Sequence, residues 1–221
     1  MANVTFSDLR SAAFCPRQCY YEWVDDDRDP PPHVERVRSL AFRYDELLRA
    51  DRLSLADEPI DVDPAVYQRR LADTKTRHDR WRECCTPASR EVLVDGRDCR
   101  GIVHKVFEAP LEPVIVSTGT PPDRGVWESH SIVAVAAAKA LAWERKQSVE
   151  SAYVEYPAAA VIRRIDLTTR RKAAYRRTLR TVREIDGPPP RTNDRSKCDH
   201  CDYVHKCGVR TRTLRSLLER R

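Results

Sequence analysis

Three cysteines near the carboxyl end, Cys198, Cys201 and Cys207, constrain the fold of this chain more than any other feature. They stand at C-x2-C-x5-C spacing in a short, polar and basic stretch. Thiolates at this spacing can converge on one soft metal centre, such as a zinc ion or an iron–sulfur cluster. Because such a centre needs a fourth ligand, the fold must bring one to this segment from elsewhere in the chain.

The composition is that of a soluble protein with room for one large domain, or for a core with an appended module. The 221 residues are 41% hydrophobic and 33% charged, and the first residues contain no apolar run of the signal-peptide type. The longest apolar stretch, residues 132–143, is interrupted by Lys139 and is too short to span a bilayer. We therefore expect a cytoplasmic protein without membrane contact. In that reducing compartment, the eight cysteines favour metal ligands or buried thiols over disulfides.

Positive charge is concentrated in the last part of the chain. Residues 163–221 contain 18 Lys and Arg against 7 Asp and Glu, a net charge of +11, whereas the rest of the chain carries −5 of the total +6. This excess favours a polyanionic partner, most simply DNA, although a solvated arginine-rich helix surface would give the same count. Seven of these basic residues fall on one predicted helix: Arg170, Arg171, Lys172, Arg176, Arg177, Arg180 and Arg183.

Periodicity and turn residues predict helices on both sides of a run of strands, which indicates an α/β fold. Ser7 is predicted to cap the first helix, with Phe6 as a hydrophobic staple. Pro16 is expected to place Cys15 at a helix break, and Asp95-Gly96 to form a hairpin turn. The predicted helices are 33–50, 64–85, 126–147 and 168–185, with a short basic helix ending at Arg221, and the predicted strands are 92–94, 102–107, 113–117, 153–156 and 160–165.

The order of these features resembles the fourth CRISPR-associated (Cas) protein family, the RecB-like exonucleases of the PD-(D/E)xK superfamily. The resemblance covers nearly the whole chain, and its most specific parts are Cys15-Pro16-Arg17 and the carboxyl-terminal cysteines. It implies a restriction-endonuclease-like core, in which helices flank a central mixed sheet. The implied division is an amino-terminal helical part (1–90), the α/β core (91–186) and a cysteine-rich, cluster-binding segment (187–221). Weaker matches are Ser7-x-Leu9, Tyr20-Tyr21, Glu155-Tyr156, Arg163-Arg164 and Cys201-x-Tyr203.

The resemblance also implies a four-iron [4Fe–4S] cluster, because the family binds one through one amino-terminal and three carboxyl-terminal cysteines. Its ligands here would be Cys15, Cys198, Cys201 and Cys207. Four thiolates also suit zinc, and unliganded thiols are a further alternative. Cys19 lies one helical turn from Cys15 and could replace it. Three other cysteines, Cys84, Cys85 and Cys99, are expected to be buried thiols. The nearby histidines, His200 and His205, are expected to be exposed or to support the ligands.

The catalytic pattern of the family is not kept. Cleavage in the superfamily uses carboxylates that hold Mg²⁺ or Mn²⁺, together with a lysine beside the attacking water. None of the six positions carries the residue of the family pattern, so we predict that the chain has no catalytic residues and binds Mg²⁺ or Mn²⁺ only if an active site is retained. The positions are Tyr44 for the early-helix histidine, His104 for the aspartate, Ile115 and Ser117 for the glutamate and lysine, and Val133 and Ala137 for the glutamine and tyrosine.

The sequence therefore leads to one main hypothesis and two alternatives. The first is an iron–sulfur, RecB-like protein that binds DNA without cutting it, with CRISPR adaptation as one setting and CRISPR integrase proteins or an active paralogue as partners. The second is an active exonuclease that processes DNA ends, and the third is a protein-interaction subunit. An active enzyme would need a rebuilt metal site, for which the nearby acids are Asp95, Asp98, Glu108, Glu112 and Glu128. Glu128 and His130 are expected instead to be the first charges of a helix.

Overall fold

The structure, a computed structural model, describes residues 3–25, 31–199 and 201–208. Within these residues a mixed sheet of six strands is flanked by helices, which confirms the α/β class. None of the described helices is both long and apolar enough to cross a membrane. The strands are β1 (Val4–Thr5), β2 (Ser89–Asp95), β3 (Cys99–Glu108), β4 (Leu111–Val116), β5 (Ser151–Tyr156) and β6 (Val161–Asp166).

Strand β3 pairs with three other strands of the sheet, β1, β2 and β4. The antiparallel partner β2 runs along one edge of β3, so the predicted hairpin is confirmed. The other edge is shared, because β1 pairs with Cys99 and Arg100 in parallel while β4 pairs with residues 105–108 in antiparallel. On this edge of β3, residues 101–104 therefore lie between the residues that pair with β1 and those that pair with β4. Beyond β4 the order continues through β5, which is parallel to β4, to the antiparallel β6.

The helices are shorter and more numerous than the sequence predicts. The predicted helix 33–50 ends at Leu40, where the next carbonyl, that of Ala41, accepts a hydrogen bond from buried Lys105. The predicted helix 64–85 breaks at His78, whose ring packs 5.1 Å from that of Tyr153. The helices are α1 (Phe6–Phe14), α2 (Pro16–Asp25), α3 (Pro32–Leu40), α4 (Tyr44–Leu47), α5 (Arg52–Ala56), α6 (Pro64–Arg77), α7 (Trp81–Cys85), α8 (Glu128–Arg145), α9 (Thr169–Arg183) and α10 (Arg195–Cys198). The predicted helix ending at Arg221 lies outside the described residues.

The N-cap of the first helix lies two residues earlier than predicted. Thr5, not Ser7, is the N-cap: its hydroxyl accepts from the Asp8 amide at 3.1 Å, and the Asp8 carboxylate accepts from the Thr5 amide at 2.8 Å. This capping box satisfies two backbone donors at once. Pairing of Val4 and Thr5 with β3 holds Thr5 in the extended conformation that a cap requires.

Two hydrophobic cores lie on opposite faces of the sheet. The larger one joins α1, α8 and α9 to side chains such as Val103, Ile115 and Val154. The smaller one joins the five helices from α3 through α7 to the strand side chains on the other face of the sheet, such as Val114 and Tyr153. Helix α8 approaches the sheet closely because its buried side chains include many alanines. At Gly96, the hairpin glycine, an added Cβ would lie 2.6 Å from the backbone of α8, so this residue serves packing as well as the turn.

Candidate metal centre and the region of the replaced catalytic residues

Cys15 lies between α1 and α2 in an extended conformation (φ −157°, ψ 118°), and Pro16 begins α2. This confirms the predicted helix break, because a residue before proline is driven out of the helical region. The Cys15 amide still donates to the Ser11 carbonyl at 2.8 Å, so the backbone at the break is fixed. The Cys15 side chain is buried at the junction of the two helices.

The carboxyl-terminal residues 189–199 and 201–208 pack against this junction. Lys197 Nζ donates to the Phe14 carbonyl at 2.8 Å, immediately before Cys15. Arg17 donates to the Pro189 carbonyl at 2.8 Å. Hydrogen bonds from side chains to backbone carbonyls thus join two parts of the chain that are far apart in sequence, at residues that precede and follow Cys15.

Aromatic and ionic contacts fix the far end of the same segment. The rings of Tyr21 and Tyr203 stack with their centroids 5.8 Å apart, and the Tyr21 hydroxyl donates to the Lys206 carbonyl at 3.3 Å. Lys206 forms an ion pair with Asp25 at the end of α2, with an N–O distance of 2.5 Å. Tyr203 and Lys206 are therefore held against α2 at Tyr21 and Asp25.

All four cysteines of the predicted ligand set line one pocket at this contact. Cys15 enters it from the helix break, and Cys198, Cys201 and Cys207 enter from the carboxyl-terminal segment. Cys19, the alternative ligand, lies instead in the larger core and is not among the residues that line the pocket. The rest of the lining includes aromatic and aliphatic side chains (Phe14, Tyr21, Tyr203, Val204) and three cations (Arg17, Arg191, Lys197). No carboxylate is among the described residues that line the pocket.

Among the described residues, no three His, Cys, Asp or Glu side chains form a group that could hold a single metal ion. Burial raises the pKa of both Cys198 and Cys201, and repulsion from the neighbouring cysteines acts in the same direction. Several thiolates together in this pocket would therefore require a positively charged partner.

The remaining cysteines behave as the sequence predicts. Cys84, Cys85 and Cys99 are buried, and Cys99 Sγ lies 3.4 Å from the Tyr175 hydroxyl inside the larger core. His205 is exposed, as expected for a group beside the ligands, and the other histidine, His200, lies outside the described residues. These thiols therefore contribute to packing and not to the cysteine pocket.

Three of the six positions that the family resemblance matches to catalytic residues lie close together at the carboxyl end of β4. The His104 ring nitrogen Nδ1 accepts a hydrogen bond from the Val116 amide at 3.2 Å, where the β3–β4 ladder has ended. Ile115 points to the α8 side of the sheet. Ser117 Oγ lies 3.3 Å from His130 Nε2, and His130 Nδ1 lies 2.9 Å from the Tyr156 hydroxyl. His130, expected to be only a first-turn charge of the helix, is thus part of a polar chain.

The other three positions do not join this group. Tyr44 lies on the opposite face of the sheet, where its hydroxyl donates to Glu155 Oε2 at 3.0 Å. Val133 and Ala137 are buried in α8 and carry no polar atom. The correspondence of Tyr44 with an active-site histidine is therefore not supported by its position.

Three of the five acidic residues considered for a rebuilt site are engaged by partner side chains. Glu112 is buried between Arg80 (2.5 Å) and Arg164 (3.1 Å), and Asp98 pairs with Arg183 at 3.1 Å. Asp95 accepts from the Asn3 side chain at 2.6 Å. The last two, Glu108 and Glu128, are exposed.

His104 and His130 are held in their neutral form. Burial is the largest cause and lowers the pKa of His104 to about 3 and that of His130 to about 4. Arg38, Lys105 and Arg10 lower the pKa of His104 further, and Arg10 also lowers that of His130. The charges that act on the two imidazoles in this way are positive.

Acid should destabilise the protein through these two histidines. Between the lowered pKa values and the ordinary value of 6.5 the folded state binds fewer protons than the unfolded state, so stability is lost as pH falls below about 6.5. Each histidine can contribute up to about 1.4 kcal/mol per pH unit. Urea unfolding at pH 7 and pH 5 should give a smaller loss for His104→Gln and for His130→Gln than for the unchanged protein. An equal loss in all three proteins would contradict this origin.

A buried ion pair was missed in the sequence. Lys105 Nζ and Glu155 Oε2 lie 2.7 Å apart on the face covered by α3 to α7, and both side chains are fully buried. Burial raises the pKa of Glu155, whereas Lys105 and the Tyr44 hydroxyl act in the opposite direction. The available signal was a lysine within an otherwise apolar stretch of strand, since lysine is almost never fully buried unless it is paired.

Comparison with protein-family models and with curated proteins found no match for this chain. The residues and their geometry therefore carry the functional argument.

Proposed function

We propose that this chain is a RecB-like protein of the fourth CRISPR-associated family that carries a [4Fe–4S] cluster and binds DNA without cutting it. The observation that carries the proposal is the meeting of Cys15 with Cys198, Cys201 and Cys207 in one pocket. The mixed sheet with a β4–α8–β5 crossover is compatible with a restriction-endonuclease-like core. When bound, the cluster would tie the first helices to the carboxyl-terminal segment.

The family resemblance is what favours a cluster over zinc. A zinc–thiolate bond is about 2.3 Å long, so four thiolates on one zinc ion must converge closely. A four-iron cluster instead places each thiolate on a different iron. Both centres carry net negative charge with four thiolates, and Arg17, Arg191 and Lys197 in the lining would offset that charge. The aromatic side chains would limit contact of the centre with water.

The replaced positions support a protein without nuclease activity. Divalent cations such as Mg²⁺ need several oxygen ligands, whereas Ile115 offers none and imidazole prefers softer metals. Two of the acidic residues that could compensate, Glu112 and Asp98, are engaged with arginines. The group at the end of β4 does not have the chemistry of a cation site.

Helix α9 supports contact with a polyanion. Its apolar side, with Tyr175, Leu179 and Val182, is buried against the larger core. The opposite side exposes several arginines, while Arg183 pairs with Asp98. Binding through such a face would be independent of sequence and sensitive to salt. The exposed arginines are Arg170, Arg176, Arg177 and Arg180.

Binding and cleavage of fluorescent single-stranded DNA test this function. The protein should bind at low salt, and the triple variant Arg176→Gln/Arg177→Gln/Arg180→Gln should flatten the plot of log K against log salt by about 0.7 for each phosphate contact that is lost. The matched control replaces three exposed arginines on the other side of the sheet, Arg52, Arg69 and Arg82, and should bind as the unchanged protein does. No cleavage is expected with Mn²⁺.

Each alternative function predicts a different outcome of that experiment. Time-dependent cleavage with Mn²⁺ that disappears in His104→Ala would establish an active exonuclease. Absence of DNA binding at low salt would favour the interaction subunit, whose partner would be sought among CRISPR integrase proteins or an active paralogue. Equal binding by the α9 variant and its control would remove α9 from the interface.

A further inference from the structure

We propose that the Nε–H group of Arg17 donates a hydrogen bond to a metal-bound sulfur in the cysteine pocket, which makes Arg17 a positioning residue of the metal centre. This inference rests on the proposed metal centre and adds to it one residue from outside the ligand set. The contact is a charge-assisted N–H···S hydrogen bond, which stabilises negative charge on the sulfur. It does not depend on DNA binding by α9.

The Arg17 Nε atom is a buried donor without an acceptor. Among the described residues, nothing accepts a hydrogen bond from it. Because a guanidinium group carries a single N–H at Nε, this donor is entirely unused. Buried polar groups in native proteins are rarely left unpaired, and an unbound ion or ligand is one of the explanations for such an exception.

The rest of the guanidinium group is fixed by two hydrogen bonds. Arg17 Nη1 donates to the Pro189 carbonyl at 2.8 Å, and Nη2 donates to the Tyr21 hydroxyl at 3.2 Å. The Tyr21 hydroxyl in turn donates to the carbonyl of Lys206, the residue before Cys207. Since the guanidinium group is planar and rigid, binding of two of its nitrogens leaves little freedom at the third.

The Arg17 side chain lines the pocket together with all four cysteines of the proposed ligand set. Arg17 follows Cys15 by two residues, in the first turn of α2. Cys201 Sγ lies 3.8 Å from Oε1 of Gln18, the next residue on the same helix. The unused donor therefore belongs to the turn of helix against which the proposed ligands lie.

Sulfur is the acceptor that the pocket offers to Arg17. No carboxylate is among the described residues that line it, and the side chains that become anionic on binding a metal are the four cysteines. The hydrogen bond with Tyr21 is the largest cause that raises the pKa of Arg17, and the charges of Cys207 and Cys15 raise it further. Hydrogen bonds to the sulfurs of an iron–sulfur centre are among the factors that set its reduction potential.

The reduction potential of the iron–sulfur centre tests this role. In an anaerobic redox titration followed by the visible spectrum, Arg17→Gln should have a lower potential than the unchanged protein, because the reduced and more negative form loses its hydrogen bond. Arg191→Gln is the matched control, since Arg191 also lines the pocket but is exposed, and it should lower the potential less. No shift in Arg17→Gln, or an equal shift in the two variants, overturns the proposal.

Tyr21→Phe separates the hydrogen bond to sulfur from the role of Arg17 in holding the carboxyl-terminal residues. This variant loses the Tyr21 contacts with Arg17 and with the Lys206 carbonyl but keeps the Nε–H group. Its potential should therefore stay closer to that of the unchanged protein than the potential of Arg17→Gln does. If Tyr21→Phe lowers the potential as much as Arg17→Gln, the effect comes from the position of the chain and the proposal is wrong.

Isotope exchange gives a readout that a purely structural role would not change. The Fe–S stretching bands of the resonance Raman spectrum should shift when the unchanged protein is transferred to D₂O, because the proton of an N–H···S hydrogen bond is replaced. Part of this shift should be missing in Arg17→Gln and present in Arg191→Gln. The same D₂O shift in both variants would contradict a hydrogen bond from Arg17 to the sulfur.

Zinc binding distinguishes failure of this inference from failure of the proposed function. If the protein contains zinc, the cluster is wrong, and the Arg17 contact is then tested by competition with a chelator. Zinc affinity should fall by roughly 10–100-fold in Arg17→Gln and much less in Arg191→Gln, as for loss of a group that hydrogen-bonds a metal ligand. A cluster with the same potential in Arg17→Gln contradicts the role of Arg17 alone. A protein that binds neither iron nor zinc contradicts both proposals.

Discussion

Cys198→Ser should lose the visible absorption and the bound metal, and its free energy of unfolding should fall by about 4 kcal/mol. The cluster that we propose would join residues 15 and 198, which lie near opposite ends of the chain. Cross-linking over a loop of this length removes unfolded-state entropy worth roughly 4–5 kcal/mol in the chain-entropy model. Binding free energy at such a centre is also folding free energy, since the unfolded chain does not preform the ligand set.

The comparison of Cys15→Ala with Cys19→Ala provides the matched control for this result. Both thiols are buried and lie one helical turn apart, but only Cys15 lines the pocket. Cys19→Ala should lose some packing energy and keep the metal, whereas Cys15→Ala should lose both. The measurements are an anaerobic visible spectrum, quantification of iron and zinc, and urea unfolding. Metal retained in Cys198→Ser and Cys15→Ala with unchanged unfolding would contradict the ligand set, and zinc in place of iron would contradict the cluster.

Much of the fold could be predicted because its signals are local. Pro16 alone fixes the extended conformation at Cys15, and Asp95-Gly96 between two apolar alternations fixes the β2–β3 hairpin. Strand β1 could not be found in this way. Two residues carry no periodicity, and Val4 and Thr5 are extended because they pair with Cys99 and Arg100, far away in sequence.

The candidate sites likewise combine features with a local signal in the sequence and features that depend on distant contacts. The cysteine spacing is local, and the family resemblance supplied the distant partner Cys15. The contacts of His130 could not be predicted in this way, because its partners Ser117 and Tyr156 follow or end strands that are distant in sequence. Tyr44 illustrates the limit of matching by order along the chain, because its side chain lies on the other face of the sheet from Ser117.

The second large effect is expected at the buried ion pair, where Lys105→Met should lower the free energy of unfolding by about 3–5 kcal/mol. Lys105 Nζ donates to the Ala41 and Cys84 carbonyls, both at 2.6 Å, and to Glu155, so its three donors are all used. Removing it leaves two buried carbonyls and a buried carboxylate without their donor, with only the Tyr44 hydroxyl still bonded to Glu155. The loss should appear in urea unfolding as a lower midpoint with an unchanged m-value.

An exposed ion pair on α6 gives the control for this prediction. Arg77 and Asp73 lie 3.3 Å apart with 77% and 56% of their side chains exposed, against 0% for both Lys105 and Glu155. Arg77→Met should therefore change stability by less than about 0.5 kcal/mol, because water already screens that pair. Lys105→Met/Glu155→Leu should be less destabilised than the sum of its single variants, since the double change leaves no buried charge. A loss below about 1 kcal/mol in Lys105→Met, or strict additivity in the double variant, would show that this pair does not hold α3 and α7 to the sheet.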